Sequence, residues 1–125
     1  IGSAVSLDET LAVEIQGRDH VTGLPRDAII TSEDVSEAIE EPLESIISVA
    51  KAVLEKTPPE LASDAIERGI VLCGGGSYLR GMEQRVSESV GVPAYITDNP
   101  IGCVAIGASR ALEMYEIMRP HLPSL

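Results

Sequence analysis

The sequence predicts an α/β fold, and three patterns of residues support that prediction. Residues 70–72 are three aliphatic residues in a row, a pattern typical of a strand that is buried on both faces. Three glycines follow, and an apolar series with helical spacing then runs as far as Gly91 (Leu79, Met82, Val86 and Val90). Helical patterns also precede this strand and end the chain, so we expect a sheet that is flanked by helices.

A hairpin is predicted near the start of the chain. Leu11, Val13 and Ile15 alternate with other residues, which favours a half-buried strand. Residues 28–31 form a second β-prone run, and the connection between the two runs contains Gly23. We therefore expect an antiparallel pair of strands.

A long helical region is predicted after the hairpin. Thr31 or Ser32 is expected to cap it, and Pro42 is expected to break or kink it, because an interior proline removes a backbone N–H group. Beyond Pro42, apolar residues recur at helical spacing and predict an amphipathic helix that packs on a sheet: Leu43, Ile46, Ile47, Ala50, Val53 and Leu54.

The next helix is expected to begin at Thr57. The Thr57 hydroxyl can cap the helix, Pro58 suits the first helical position, and Glu60 can complete a reciprocal capping box. Three apolar side chains of this helix are expected to face inward: Leu61, Ala65 and Ile66.

The last part of the chain is predicted to hold one more short strand and a terminal helix. Residues 92–97 form the β-prone run. Asn99 and Pro100 form a cap and first-turn pair for the helix, which Pro120 ends, and a frayed tail is expected beyond it.

Composition and charge exclude several functional classes. The chain of 125 residues carries 9 basic and 20 acidic side chains, a formal net charge of −11. Such a surface repels phosphate backbones, so we expect no nucleic-acid partner. No run reaches about 18 apolar residues, and the first residues lack a basic stretch followed by an apolar one. Neither a membrane span nor a signal peptide is therefore expected.

No metal site and no catalytic nucleophile are predicted. Cys73 and Cys103 each lie in an apolar run, so we expect buried free thiols in a reducing cytoplasm. His20 and His121 are far apart and have no second ligand at metal spacing. Ser77 follows the glycines, but it lacks the G-x-S-x-G frame of a hydrolase nucleophile.

The three glycines after the central strand are the candidate site, because ligands of open α/β sheets bind at the carboxyl ends of strands. Their sequence fits neither of two common phosphate motifs. Leu79 stands where a G-x-G-x-x-G dinucleotide fingerprint needs its last glycine, and Met82 stands at the lysine position of a P-loop. Local chemistry alone therefore leaves a tight structural turn and a ligand site equally open.

The order of several short motifs resembles the MreB family of bacterial actin homologues. The resemblance covers nearly the whole chain without large gaps. The matching residues are 17–19 (GRD), 21–25 (VTGLP), 41–43 (EPL), 57–64 (TPPELASD), 67–72 (ERGIVL), 74–76 (GGG), 79–81 (LRG), 99–101 (NPI) and 103–105 (CVA).

The resemblance implies the C-terminal part of an actin-like (ribonuclease H-like) ATPase fold, a sheet flanked by helices plus a small β-hairpin subdomain. Residues 1–41 would form the hairpin and the helix start of the smaller outer subdomain. Residues 42–118 would form the α/β subdomain with the adenosine-binding loop and the C-terminal helix, and residues 119–125 a tail. Five residues of the glycine loop would flank the adenine and ribose of ATP: Gly74, Gly75, Gly76, Ser77 and Tyr78.

The same resemblance implies an ATP-dependent filament protein that organises lateral cell-wall synthesis and maintains rod shape. The catalytic residues and the Mg²⁺ ligands would lie outside this chain, so we expect the chain alone to be inactive. Its partners would be further copies of itself, head to tail and in paired protofilaments, and the cell-wall elongation machinery. The full-length filament would be cytoplasmic and associated with the membrane through parts not present here.

Two other functions stay open at this point. The chain could be half of a sugar or acetate kinase-like enzyme of the same superfamily, which has a similar glycine loop. It could also be a stand-alone acidic interaction module that binds no nucleotide.

Overall fold

The computed structural model describes residues 1–121, and it confirms the α/β prediction with two small sheets and several helices. The elements are β1 (Ala12–Arg18), β2 (Pro25–Thr31), α1 (Ser32–Lys56), α2 (Pro59–Arg68), β3 (Ile70–Leu72), α3 (Met82–Val90), β4 (Ala94–Ile96), α4 (Cys103–Glu113) and α5 (Tyr115–Met118). Short 3₁₀ turns lie at Gly75–Tyr78 and Arg119–His121. Most of the predicted tail, residues 122–125, lies outside the described residues.

The predicted hairpin is present. Strands β1 and β2 pair antiparallel, from Ala12 opposite Thr31 to Arg18 opposite Pro25. The Asp19 carboxylate orders the turn, since it accepts the backbone N–H groups of Val21 and Thr22 at 2.9 and 2.8 Å. These bonds, with Thr22 contributing most, hold the pKa of Asp19 below its usual value.

The expectation that the first strand is half-buried is wrong. Every residue of β1 is exposed, including Val13 and Ile15. Alternation of apolar residues marks one face of a strand, but burial also needs an element to cover that face, and within residues 1–121 none does.

Helix α1 begins with the predicted cap. The Thr31 hydroxyl accepts the backbone N–H of Asp34, and the Asp34 carboxylate accepts the backbone N–H of Thr31, which completes a capping box. Further along the same helix, Leu43 and Ile47 are buried, as the apolar stripe predicts. Ile46 and Val53 of that stripe are exposed instead.

Pro42 does not break the helix, so that alternative of the prediction is wrong. Helix α1 runs as a single element of 25 residues through Pro42. An interior proline costs about 3 kcal/mol, because it removes one hydrogen bond and crowds the preceding turn. The buried side chains of Leu43 and Ile47 anchor the helix just beyond the proline and offset part of that cost. The division of the chain after residue 41 falls within α1 and stays a prediction.

Helix α2 differs from the prediction in its start and its exposure. The Thr57 hydroxyl donates back to the carbonyl of Val53 at 2.7 Å, so it closes α1 and does not cap α2. The N-cap of α2 is Pro58, without a side-chain cap, and the predicted capping box is wrong. Leu61 and Ile66 are exposed, because no described element covers their face of the helix.

The central strand is present as β3 and pairs in parallel with β4, with Ile70 opposite Ala94 and Leu72 opposite Ile96. Helix α3 follows and ends before Gly91, as predicted. Burial of β3 on both faces is not observed, since Val71 is 52% exposed. Leu72 of β3 and Ala94 of β4 pack against the core, so the core lies on the face of this strand pair opposite to Val71.

The core joins α1, α3 and the N-terminal segment. Its buried cluster consists of Ala4, Leu43, Met82 and Val86. Ala4 is held there because its backbone N–H donates to the carbonyl of Arg80 at 2.7 Å. The core is thus built between the long helix and the helix that follows the glycines.

The last helix starts close to its predicted position. The Asn99 side-chain oxygen accepts the backbone N–H of Gly102 at 2.9 Å, so it stabilises the turn that leads into α4. The N-cap of α4 itself is Gly102, without a side-chain cap, so the predicted cap lies three residues before the helix boundary. Cys73 and Cys103 are both free, but Cys73 is exposed and Cys103 only partly buried, so the expectation of two buried thiols is wrong. Cys73 is open because it lies past the end of β3, where the chain enters the glycine loop.

Candidate functional site

The glycine loop, residues 74–78, lies at the carboxyl end of β3. Gly74 has a φ of +86°, a backbone conformation that residues with a side chain rarely adopt, and it turns the chain out of the strand. The loop then forms the 3₁₀ turn Gly75–Tyr78, and the backbone N–H of Leu79 closes it on the carbonyl of Gly76 at 3.1 Å. The loop is therefore an ordered turn.

Open space surrounds the three glycines. Apart from chain neighbours, no described atom lies within 4 Å of the position that a Cβ atom would take at Gly74, Gly75 or Gly76. Close packing inside the described residues therefore does not require glycine at these positions. A flat ligand group could lie directly on this stretch of main chain.

Ser77 and Tyr78 face different surroundings. Ser77 is 5% exposed, and its hydroxyl donates to the carbonyl of Gly74 at 2.7 Å, so it stabilises the turn from inside. Tyr78 is 60% exposed. Of the five predicted site residues, the three glycines and the Tyr78 ring are thus accessible. The assignment of these five residues to a nucleotide stays a prediction.

A second loop, residues 97–100, contacts the glycine loop, and its sequence was not predicted to form part of the site. The backbone N–H of Gly74 donates to the carbonyl of Pro100 at 2.7 Å, and Pro100 is fully buried. The backbone N–H of Thr97 donates to the carbonyl of Leu72 at 3.2 Å. The parallel pairing of the two predicted strands was the available signal, since it places both carboxyl ends at one edge of the sheet.

The described part of the chain contains no group of three or more His, Cys, Asp or Glu side chains that could hold a metal ion. No helix within residues 1–121 is long and apolar enough to cross a membrane.

A model of the MreB/Mbl protein family matches residues 1–120. The chain belongs to the MreB/Mbl family. The cell shape-determining protein MreB of Escherichia coli strain K12 is 44% identical to it over 117 residues, which cover 94% of this chain and 34% of the relative. The cell shape-determining protein Mbl of Bacillus cereus is 48% identical over 101 residues, which cover 81% of this chain and 30% of the relative.

Solved structures of an MreB/Mbl protein have the same fold. MreB5 of Spiroplasma citri bound to ADP matches with a TM-score of 0.84 and 31% identity, over 98% of this chain and 37% of that protein. The same protein bound to AMPPNP matches with a TM-score of 0.82 and 32% identity. The predicted actin-like fold class is thereby confirmed.

This MreB/Mbl chain spans about a third of the length of the curated relatives that it matches. The family match favours a cytoskeletal protein over the kinase-like enzyme.

Proposed function

We propose that this chain is the C-terminal part of an ATP-dependent, actin-like filament protein that organises lateral cell-wall synthesis and maintains rod shape. Membership of the MreB/Mbl family supports this proposal, as does the description of its relatives as cell shape-determining proteins. The chain alone is inactive in this proposal, because it contains only part of the family's length.

In this proposal the glycine loop forms the adenosine wall of a nucleotide site. The observation that carries the proposal is the open main chain at Gly74, Gly75 and Gly76, at the carboxyl end of a parallel strand. A purine ring can lie flat on backbone that has no side chains. The presence of ADP and AMPPNP in the two MreB5 structures supports a nucleotide as the ligand.

The two side chains of the loop have separate roles in this arrangement. Ser77 keeps the turn in shape through its bond to Gly74, and the exposed Tyr78 ring borders the space that the base would take. Mg²⁺ accompanies ATP and ADP, but the described residues offer no carboxylate cluster for it. We therefore assign its ligands to the part of the family's length that this chain does not cover, and we derive no step through it.

The complete protein would assemble with further copies of itself, head to tail and in paired protofilaments. It would also contact the cell-wall elongation machinery, and it would lie in the cytoplasm on the membrane. The chain's contribution would be the adenosine wall and part of the longitudinal filament surface.

The variant Gly75→Val in the complete protein tests the adenosine assignment. The φ of Gly75 is not in the left-handed region and the space around it is open, so valine fits the fold but fills the base site. Overpacking costs about 1–3 kcal/mol, so we expect the affinity for a fluorescent ATP analogue to fall by a factor of about 5 to 150. Assembly with ATP, followed by light scattering, should be lost.

Gly17→Val is the matched control. Gly17 lies in β1, away from the loop, and no described atom lies within 4 Å of the position that a Cβ atom would take there, so this variant should bind nucleotide and assemble normally. Normal binding and assembly of Gly75→Val would show that the glycine loop is not the adenosine wall.

A further inference from the structure

Helix α1 has a weak point in its middle. Pro42 has no backbone N–H, so the carbonyl of Ala38, four residues earlier, lacks its normal helical partner. Sharp kinks in helices usually occur at such prolines, yet α1 runs through Pro42 as one element. Ile39 before the proline and Leu43 after it both pack against the core, and a direct contact between the two halves would hold them in line more firmly.

Arg85 of α3 makes such a contact. Its Nη2 atom lies 2.5 Å from a carboxylate oxygen of Glu40 and 2.5 Å from one of Glu44. Glu40 precedes Pro42 by two residues and Glu44 follows it by two, so the two carboxylates are one helical turn apart, on either side of the weak point. A single guanidinium therefore joins the two halves of α1 to each other.

Arg85 is partly withdrawn from solvent, which strengthens this contact. Its side chain is only 25% exposed, so solvent and salt screen its charge less than at a fully exposed site. The bond to Glu40 is the main reason that the pKa of Arg85 is raised above its usual value. Without Arg85, the two carboxylates would repel each other across one turn of the helix.

The hairpin is attached to the first half of α1. The backbone N–H of Leu11 donates to the Ser32 hydroxyl at 3.0 Å, and the backbone N–H of Ser32 donates to the carbonyl of Leu11 at 2.8 Å. The capping box at Thr31 also joins β2 directly to the helix. Any bend at Pro42 would therefore move the hairpin as a unit relative to α3.

We propose that Arg85 is a clamp that holds α1 in line across Pro42 and thereby fixes the orientation of the β1–β2 hairpin relative to the glycine loop. Pro42 is the hinge of this device. Arg85 acts from α3, the helix that follows the glycine loop, so the hinge is restrained by the element next to the candidate site. This proposal does not depend on nucleotide binding.

The distance between the hairpin tip and α3 tests the clamp. Spin labels at His20→Cys and Glu88→Cys, in a chain with Cys73→Ser and Cys103→Ser, allow double electron–electron resonance measurements. The lever from Pro42 to the start of α1 is about 15 Å, at about 1.5 Å per residue. A kink of about 20° would move its end by about 5 Å. In Arg85→Gln we therefore expect a distance distribution that widens or shifts by up to about 5 Å.

A second substitution separates a clamp from ordinary packing. Pro42→Ala restores the backbone bond to Ala38, so the double variant Arg85→Gln with Pro42→Ala should recover the narrow distribution of the parent chain. Arg68→Gln, in which an exposed arginine of α2 loses its charge, is the matched control and should leave the distribution unchanged. A double variant as wide as Arg85→Gln alone would overturn the proposal, because the proline would then be irrelevant.

The remaining outcomes are also decisive. An unchanged distribution in Arg85→Gln contradicts the clamp. Far-ultraviolet circular dichroism shows whether Arg85→Gln folds like the parent. If it does not, the same distance is measured in Glu44→Gln, which removes one carboxylate and leaves the contact of Arg85 with Glu40. A wider distribution in Glu44→Gln supports the clamp, and an unchanged one overturns it.

Discussion

Gly69, between α2 and β3, should tolerate a side chain poorly. Its φ of 81° and ψ of 178° lie in a region essentially reserved for glycine, which costs other residues about 1–3 kcal/mol. A Cβ atom there would lie 2.7 Å from the carbonyl oxygen of Pro93. That oxygen accepts the backbone N–H of Ile70 at 2.7 Å, so moving it weakens a bond worth about 1 kcal/mol. Because the backbone strain and the weakened hydrogen bond add, Gly69→Ala should lower the free energy of unfolding by about 2–4 kcal/mol.

Gly91→Ala provides the comparison for this prediction. Gly91 ends α3 with a φ of 75° and a ψ of 17°, and no described atom lies within 4 Å of the point where its Cβ atom would be. Gly91→Ala should therefore lose only about 1 kcal/mol, the cost of a left-handed backbone at a residue with a side chain. Urea unfolding followed by circular dichroism at 222 nm measures both variants against the parent. Equal losses for Gly69→Ala and Gly91→Ala would refute the reasoning, because the contact with Pro93 would then contribute nothing.

Two further predictions concern α1. Ile47→Ala should lower the free energy of unfolding in urea by about 2–5 kcal/mol, because Ile47 is only 2% exposed. Ile46→Ala, at a site that is 52% exposed, should lower it by about 1 kcal/mol or less. Similar losses for the two variants would contradict the core assignment. The bonds from Thr31, its hydroxyl first, lower the pKa of Asp34, so folding favours the carboxylate. Its stabilisation should be complete above the ordinary pKa of 3.8 and lost as the pH falls through the lower folded value. Asp34→Asn should lose this part of the pH dependence of the urea midpoint; an unchanged dependence would argue against the capping box.

The sequence was most informative where structure depends on neighbouring residues. Three local patterns each predicted an element that is present. The alternation around Val13 predicted β1, the aliphatic run 70–72 predicted β3, and the helical spacing that ends at Gly91 predicted α3. The cap at Thr31 was equally local, since the side chain and its partner are three residues apart. The same holds for the glycine loop, whose existence and position followed from its composition.

Burial could not be predicted in the same way. An apolar pattern such as that of Leu61 and Ile66 shows which face of a helix is suited to burial, but not whether another element covers it. Val71 was expected to be buried for the same reason and is exposed. The chain spans about a third of the length of its relatives, so apolar faces outnumber the elements that could cover them.

Contacts between distant residues were the other part that the sequence did not reveal. The bond from Gly74 to Pro100 joins loops that are 26 positions apart. Arg85 contacts residues more than 40 positions away, and neither spacing nor composition singles it out from other arginines.

The parallel pair β3–β4 can accept further strands. Within residues 1–121 each of these strands pairs with the other alone. The outer backbone N–H groups of β4 are used by side chains of α3, since Ala94 donates to the Ser87 hydroxyl at 2.8 Å and Ile96 to the Glu83 carboxylate at 2.6 Å. The outer edge of β3 is therefore the margin to which a neighbouring strand could bond. Parallel sheets in proteins normally contain more strands than two and carry a layer on each side. Relatives almost three times as long have enough polypeptide to supply them. The pair is therefore suited to be the nucleus of a wider sheet, and an added layer would be expected to cover Val71.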